Sequence, residues 1–198
     1  TCDSGLSLRA GRWTHRTKKC AITPCSNAFG NEASMVSQQT SLLIDTNVWL
    51  DCFLPNRPEH AEATSLMLFA YEHGYPLLYP AAIAKDVFYL AANNFKRDMR
   101  NESGTLGGHD AATAIELAWG CVNAMRDRAT AVGTDESDLW KACALHSIHN
   151  DLEDNLIVAA AQRANASYLV TNDEGLIKHA PVAALTPKDA LALLQAGL

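Results

Sequence analysis

The sequence lacks the features that mark several protein classes. No stretch of its 198 residues approaches the roughly 18 consecutive apolar residues that a membrane-spanning helix needs. No apolar signal segment stands near the start, and no glycine-rich phosphate loop follows the first apolar run. Its six cysteines are scattered and do not suggest a disulfide framework. We therefore expect a cytoplasmic protein without a membrane span, and not a nucleotide-binding enzyme.

Charge is also scarce and unevenly distributed. Charged residues make up 19% of the chain and hydrophobic residues 48%, which suits one domain with a sizeable core. Residues 1–34 hold five basic and two acidic side chains. The overall formal charge is −6, so the remainder of the chain carries −9. An acidic body repels nucleic acid at long range, so any function on RNA requires local basic side chains and bound cations.

The first residues show neither a helical nor a strand period. We expect residues 1–40 to be a flexible N-terminal extension and residues 41–198 to be the main domain. Met35 lies six residues before the first strand signal. A natural start at Met35 and an arginine-rich transit peptide are both open interpretations of the segment before it.

From residue 41 onward, short apolar runs alternate with helical patterns. This alternation predicts a three-layer α/β/α fold with a central, mainly parallel sheet of about four to five strands. The predicted strands cover residues 42–44, 77–79, 130–132, 168–170 and 182–185. The predicted helices cover residues 46–54, 58–73, 81–95, 110–128, 135–146 (with Thr134 as N-cap), 151–165 and 187–195, with a short helix after residue 173 and a glycine-rich loop over 103–108.

Four aspartates lie where such a sheet binds ligands or on the helices beside it. Asp45 and Asp173 follow the predicted strands 42–44 and 168–170, at the carboxyl edge of the sheet. Asp86 and Asp154 lie on helices, and each of the four could alternatively be a helix cap or a helix-dipole partner. Carboxylates that converge repel one another unless a cation lies between them. Ligands that are all oxygen favour Mg²⁺ or Mn²⁺, which suit phosphodiester cleavage.

Four segments in this order resemble the PIN-domain family, in particular its VapC-type toxin ribonucleases: LLIDTNVWLD, YPAAIAKDVFYL, DLEDNLIVAAAQRANASYLVTND and LTPKDALALL. The resemblance implies that the acids which bind the metal and catalyse are Asp45, Asp86, Asp154 and Asp173. It further implies that Asn47 and Thr171 orient these acids and that Asp151 is an auxiliary ligand. The family usually has glutamate where this chain has Asp86, which is one methylene shorter.

The resemblance implies a Mg²⁺- or Mn²⁺-dependent endoribonuclease, the toxin of a toxin–antitoxin pair. Its expected partners are RNA, a small antitoxin protein and a second copy of the chain in a homodimer. Candidate phosphate-binding side chains are Arg57, Arg97 and Arg100. The alternative is a catalytically weakened PIN-like module that binds RNA or protein, with Asp86 as the sign of the loss. A metal titration separates the two hypotheses.

Overall fold

The computed structural model describes residues 39–147 and 150–197. The predictions made for residues 1–38, including the flexible extension, the start at Met35 and the transit peptide, lie outside these described residues. Within the described part, no helix combines the length and the apolarity that crossing a membrane requires.

The described residues form a parallel sheet of five strands. These are β1 (Leu42–Ile44), β2 (Leu77–Pro80), β3 (Thr130–Val132), β4 (Tyr168–Val170) and β5 (Ala184–Leu185). Their order across the sheet is β3-β2-β1-β4-β5, and every neighbouring pair is parallel. All three residues of β1 are fully buried, because a central parallel strand is covered on both faces.

Eight helices connect and cover the strands in the part of the chain described. They are α1 (Thr46–Phe53), α2 (His60–Glu72), α3 (Ile83–Ser103), α4 (Gly108–Arg128), α5 (Glu136–Leu145), α6 (Leu152–Arg163), α7 (Glu174–His179) and α8 (Pro187–Ala196). The predicted α/β/α fold class, with its parallel sheet, is confirmed. One face of α2 packs on the core, since Ala63, Leu66, Met67 and Ala70 recur at helical spacing and are all buried.

Two predicted element boundaries were wrong around α3 and α5. The helix predicted to end at Phe95 continues as α3 to Ser103, and Gly104 ends it in the left-handed conformation with φ of 76°. Its last two turns are polar, so no apolar period marks them. The N-cap of α5 is Asp135, whose side chain accepts a hydrogen bond from the Ser137 N–H, and not Thr134.

Smaller boundary differences occur at α2 and β5. The helix expected to begin near Pro58 begins at His60, after a turn. The last strand covers two residues, Ala184–Leu185, and not the predicted 182–185. Neither difference changes the sheet order, in which the carboxyl ends of β1 and β4 lie side by side at one edge.

Candidate active site at the carboxyl edge of the sheet

Asp45 is a buried acid at the point where β1 ends and α1 begins. Only 3% of its surface is exposed, and its side chain caps α1 by accepting a hydrogen bond from the Thr46 N–H. Its Oδ2 accepts hydrogen bonds from Asn47 Nδ2 at 2.8 Å and from Thr171 Oγ1 at 2.7 Å. These bonds hold the carboxylate in one orientation at the edge of the two central strands.

The burial of Asp45 raises its pKa to about 6. The hydrogen bonds from Thr171 and Thr46 oppose this rise because they favour the ionised form, but they are outweighed. The negative charges of Asp154 and Glu153 raise the pKa further. A carboxylate in this setting is costly to ionise, and a nearby cation would remove that cost.

A polar network extends from Asp45 across the edge of the sheet. Asn47 Oδ1 accepts a hydrogen bond from the backbone N–H of Asn172 at 3.2 Å, and Asn172 Nδ2 donates to Asp51 Oδ2 at 2.7 Å. Asp51 is 1% exposed and forms an ion pair with Arg57. The start of α1 and the turn after β4 are therefore tied together by side-chain hydrogen bonds.

Asp173 is linked to Asp45 through Thr171. Its backbone N–H donates to Thr171 Oγ1 at 2.9 Å, and the same hydroxyl donates to Asp45. The Asp173 carboxylate caps α7, where Oδ1 accepts a hydrogen bond from the Leu176 N–H at 2.9 Å. Asp173 is thus a helix cap that also lies near the buried acid. Its role as a cap is therefore compatible with the predicted role as a metal-binding acid.

The first turn of α6 brings further acids toward Asp45. Asp151 caps this helix, and its Oδ1 accepts hydrogen bonds from the backbone N–H groups of Glu153 at 2.8 Å and Asp154 at 3.4 Å. Asp154 is half-buried, and its charge acts on Asp45. Glu153 Oε1 accepts a hydrogen bond from Thr46 Oγ1 at 3.4 Å.

Asp86 approaches from the first turn of α3. Its carboxylate forms an ion pair with Lys85 at 3.3 Å, and 28% of its side chain is exposed. Burial raises the pKa of Glu153, and the charge of Asp86 adds to the rise. Both acids line a cleft of about 350 Å³, together with Pro80, Ile83, Lys85 and Leu152.

The three arginines predicted to contact phosphate lie in different places. Arg57 is beside the polar network through its ion pair with Asp51. Arg97 donates to Asn94 Oδ1 at 2.6 Å, and both Arg97 and Arg100 are exposed on the later turns of α3. Eleven residues separate Arg97 from Asp86, which is about 16 Å along a helix. These two arginines therefore lie remote from the acids.

The carboxylates near Asp45 offer only oxygen ligands, which hard divalent cations prefer. Within residues 39–147 and 150–197, however, no three acidic, histidine or cysteine side chains come close enough together to hold a metal ion. Ligation therefore requires that some of these carboxylates turn toward a common ion. The structure places Asp45, Asp154 and Asp173 near the carboxyl ends of β1 and β4. Asp86 lies in the cleft that Glu153 also lines.

Sequence reasoning missed Asp51, Asn172 and Glu153. Asn172 stands inside the T-N-D segment that ends β4, next to two residues that were singled out. Glu153 stands between Asp151 and Asp154, so its neighbours carried a signal for it. Asp51 had no such signal, because one acid in a short helix is ordinarily at the surface.

The parallel sheet and its helices define an α/β/α domain, with a buried acid after the first strand and further acids on the turns and helices beside it. A family model of the PIN domain matches residues 41–175. The chain therefore belongs to the PIN-domain family.

The fold is similar to that of a chain in the crystal structure of VapBC2 from Rickettsia felis, which is bound to a DNA fragment from the VapBC2 promoter. The similarity has a TM-score of 0.54 at 11% sequence identity, and it covers 74% of this chain and 98% of that one. No curated protein matches this chain in sequence.

Proposed function

We propose that the protein is a metal-dependent endoribonuclease that hydrolyses RNA phosphodiester bonds with Mg²⁺ or Mn²⁺. The observation that carries the proposal is the buried Asp45, whose pKa is raised and which faces the charges of Asp154 and Glu153. Burial makes ionisation of this group more costly than in water, and a nearby cation would offset that cost. Membership in the PIN-domain family supports nuclease activity as the function that such a cation would serve.

The proposed ligands of the ion are Asp45, Asp86, Asp154 and Asp173. When bound, such an ion lowers the pKa of a water molecule and stabilises negative charge on the leaving oxygen. Asn47 and Thr171 orient Asp45 through their hydrogen bonds to Oδ2. Asp151 orients the first turn of α6 as its cap and is therefore an auxiliary residue in this proposal.

Substrate binding is proposed to use Arg57 near the acids and Arg97 and Arg100 farther along α3. Arginine binds phosphate in a bidentate manner, and the two exposed arginines are available to a long strand. Arg57 is engaged by the buried Asp51, so its first contribution is to neutralise that acid. Its proposed contact with RNA uses the part of the guanidinium that faces solvent.

We further propose that the protein is the toxin of a toxin–antitoxin pair in the cytoplasm and that it forms a homodimer. The shared fold with a chain of the VapBC2 structure supports the first part. An aromatic surface on α3 and α4 supports the second. There Phe88 contacts Trp119 and Tyr89 at ring-centre distances of 5.0 and 5.2 Å, and Tyr89 and Trp119 are 60% and 52% exposed. Apolar surface of this kind is often covered by a partner.

The test is cleavage of a broad panel of labelled RNAs by the purified chain with Mg²⁺, with Mn²⁺ or with EDTA. Asp45→Ala and Asp173→Ala are expected to abolish cleavage while the far-ultraviolet circular dichroism stays that of a folded protein. Asp127→Ala is the matched control, because Asp127 is an exposed acid of α4 paired with Arg126. Unchanged cleavage by the Asp45 or Asp173 variant, in material free of contaminating nuclease, would refute the mechanism.

A second candidate function is a PIN domain that binds RNA or protein without catalysis. Two observations favour it: no three metal-binding side chains converge in the described residues, and Asp86 is already paired with Lys85. A titration with Mn²⁺ separates the candidates. If the domain binds without catalysis, the wild type should bind Mn²⁺ no more tightly than the Asp45→Asn variant does.

A further inference from the structure

We propose that the buried Asp51 is a positioning residue for RNA cleavage. It holds Arg57 for a contact with substrate phosphate, and it fixes Asn172 and thereby the orientation of Asp45. This inference rests on the proposed function, because it concerns how the same site is held in place. Asp51 is not proposed as a ligand of the metal ion, since both of its carboxylate oxygens already accept hydrogen bonds from other side chains.

The burial of Asp51 is the first argument. The residue is 1% exposed and lies on α1, the helix that Asp45 caps. A buried carboxylate is unfavourable unless its partners replace the water that it has lost. An apolar side chain of similar size often serves stability equally well at such a position. Stability alone therefore does not account for an acid here.

The second argument is the path of hydrogen bonds from Asp51 to Asp45. Asp51 Oδ2 accepts a hydrogen bond from Asn172 Nδ2 at 2.7 Å. The backbone N–H of Asn172 donates to Asn47 Oδ1 at 3.2 Å, and Asn47 Nδ2 donates to Asp45 Oδ2 at 2.8 Å. The oxygen and the nitrogen of the Asn47 amide thus have different partners, which fixes the direction in which the amide faces Asp45. If Asn172 is released from Asp51, one end of that amide loses its support.

The third argument concerns the part of Arg57 that Asp51 binds. Asp51 Oδ1 accepts a hydrogen bond from Arg57 Nε, while 34% of the arginine side chain stays exposed. A guanidinium that is held through Nε keeps its two terminal nitrogens for a phosphate, which arginine binds with two parallel hydrogen bonds. One buried carboxylate therefore fixes both a phosphate contact and, through Asn172, the acid at the end of β1.

The experiment measures kcat and KM for cleavage of a labelled RNA by the full chain with Mn²⁺, at a temperature where circular dichroism shows each variant to be folded. Asp51→Asn keeps the size of the side chain but leaves one acceptor oxygen for two donors. It is expected to lower kcat by about tenfold or more, as loss of a supporting group commonly does, and to raise KM. Asp138→Asn is the matched control, because Asp138 is also 1% exposed and paired with an arginine, Arg163. It should leave kcat and KM unchanged.

A double-mutant cycle tests whether Asp51 acts through Asn172. Asn172→Ala removes the side-chain donor to Asp51 and keeps the backbone N–H that donates to Asn47. If the path is correct, both substitutions together should lower kcat no further than the stronger of the two does alone. Wild-type kcat in Asp51→Asn, an equal loss of kcat in Asp138→Asn, or additive losses in the cycle would overturn the inference.

A measurement in EDTA without RNA separates this inference from the proposed function. Hydrogen exchange of the Asn172 backbone N–H, followed by NMR, should be about tenfold faster in Asp51→Asn, as the loss of one hydrogen bond to a charged group implies, and unchanged in Asp138→Asn. If Asp45→Ala abolishes cleavage while Asp51→Asn keeps the wild-type exchange and kcat, the inference fails and the nuclease proposal stands. If Asp45→Ala cleaves as the wild type does, the nuclease mechanism fails whatever the exchange shows.

Discussion

Replacing Asp45 with asparagine should change the pH dependence of folding in a way that follows from its burial. The pKa of Asp45 rises from 3.8 to about 6 because the carboxyl group is desolvated. The folded protein therefore holds this proton more tightly than the unfolded chain does between pH 4 and 6. In that window the free energy of unfolding falls as the pH rises, and below it both states are protonated.

The size of the effect follows from the shift in pKa. One pKa unit corresponds to about 1.36 kcal/mol, so a shift from 3.8 to about 6 gives about 3 kcal/mol in total, of which about 2 kcal/mol is lost between pH 4 and pH 7. This is a large fraction of the stability of an ordinary domain, which is about 5 to 15 kcal/mol. Asparagine cannot ionise, so Asp45→Asn removes the pH-dependent contribution and leaves that of all other groups.

The assay is urea unfolding in EDTA at pH values from 4 to 7, followed by tryptophan fluorescence and by circular dichroism. The quantity of interest is the difference in unfolding free energy between wild type and Asp45→Asn. This difference should shift by about 2 kcal/mol in favour of the variant as the pH rises from 4 to 7. Asp127→Asn, which changes an exposed acid, should show no such shift.

An equal pH dependence for wild type and Asp45→Asn would refute the argument that burial controls this acid. Addition of Mn²⁺ provides a second check. The ion should stabilise the wild type more at pH 7 than at pH 5, since it binds the ionised carboxylate.

Three further changes have expected results. Thr171→Val should raise the pKa of Asp45 further, because it removes a hydrogen bond to the ionised form. The pH range over which the variant loses stability should therefore move to higher pH, and Thr171→Ser should keep the wild-type range. Arg57→Ala should cost about 2 kcal/mol in urea unfolding by leaving the buried Asp51 without its cation, and a rise in KM alone, with stability kept, would contradict this. Trp49→Ala should cost about 3 to 5 kcal/mol in the same assay, since the side chain is fully buried, and a loss below 1 kcal/mol would count against tight packing around it.

The strands could be predicted from sequence because the sheet is covered on both faces. Leu42, Leu43 and Ile44 are all fully buried, so they form a continuous apolar run and not an alternating one. The last turns of α3 could not be predicted in the same way. Residues 96–103 are mostly polar and lie at or near the surface, so no apolar period extends to Ser103.

Parts of the candidate site were visible in the sequence and others were not. Asp45 and Thr171 stand directly after apolar strands, where a parallel sheet binds ligands. The distance between two acids depends on how helices from different layers pack, and a local pattern does not contain that information. For this reason the proximity of Glu153 to Thr46, and the ion pair of Asp86 with Lys85, emerge only from the folded chain.

The hydrogen bonds between Asp45, Asn47, Thr171 and Asn172 span the two middle strands of the sheet. Distorting this hydrogen-bond network would require the separation of β1 from β4, which are paired and lie in the interior. The cleft beside α3 is more accessible to a binding partner, because Asp86 on α3 is partly exposed to solvent. The antitoxin proposed above is therefore expected to act by covering or displacing α3, while β1 and β4 keep their arrangement.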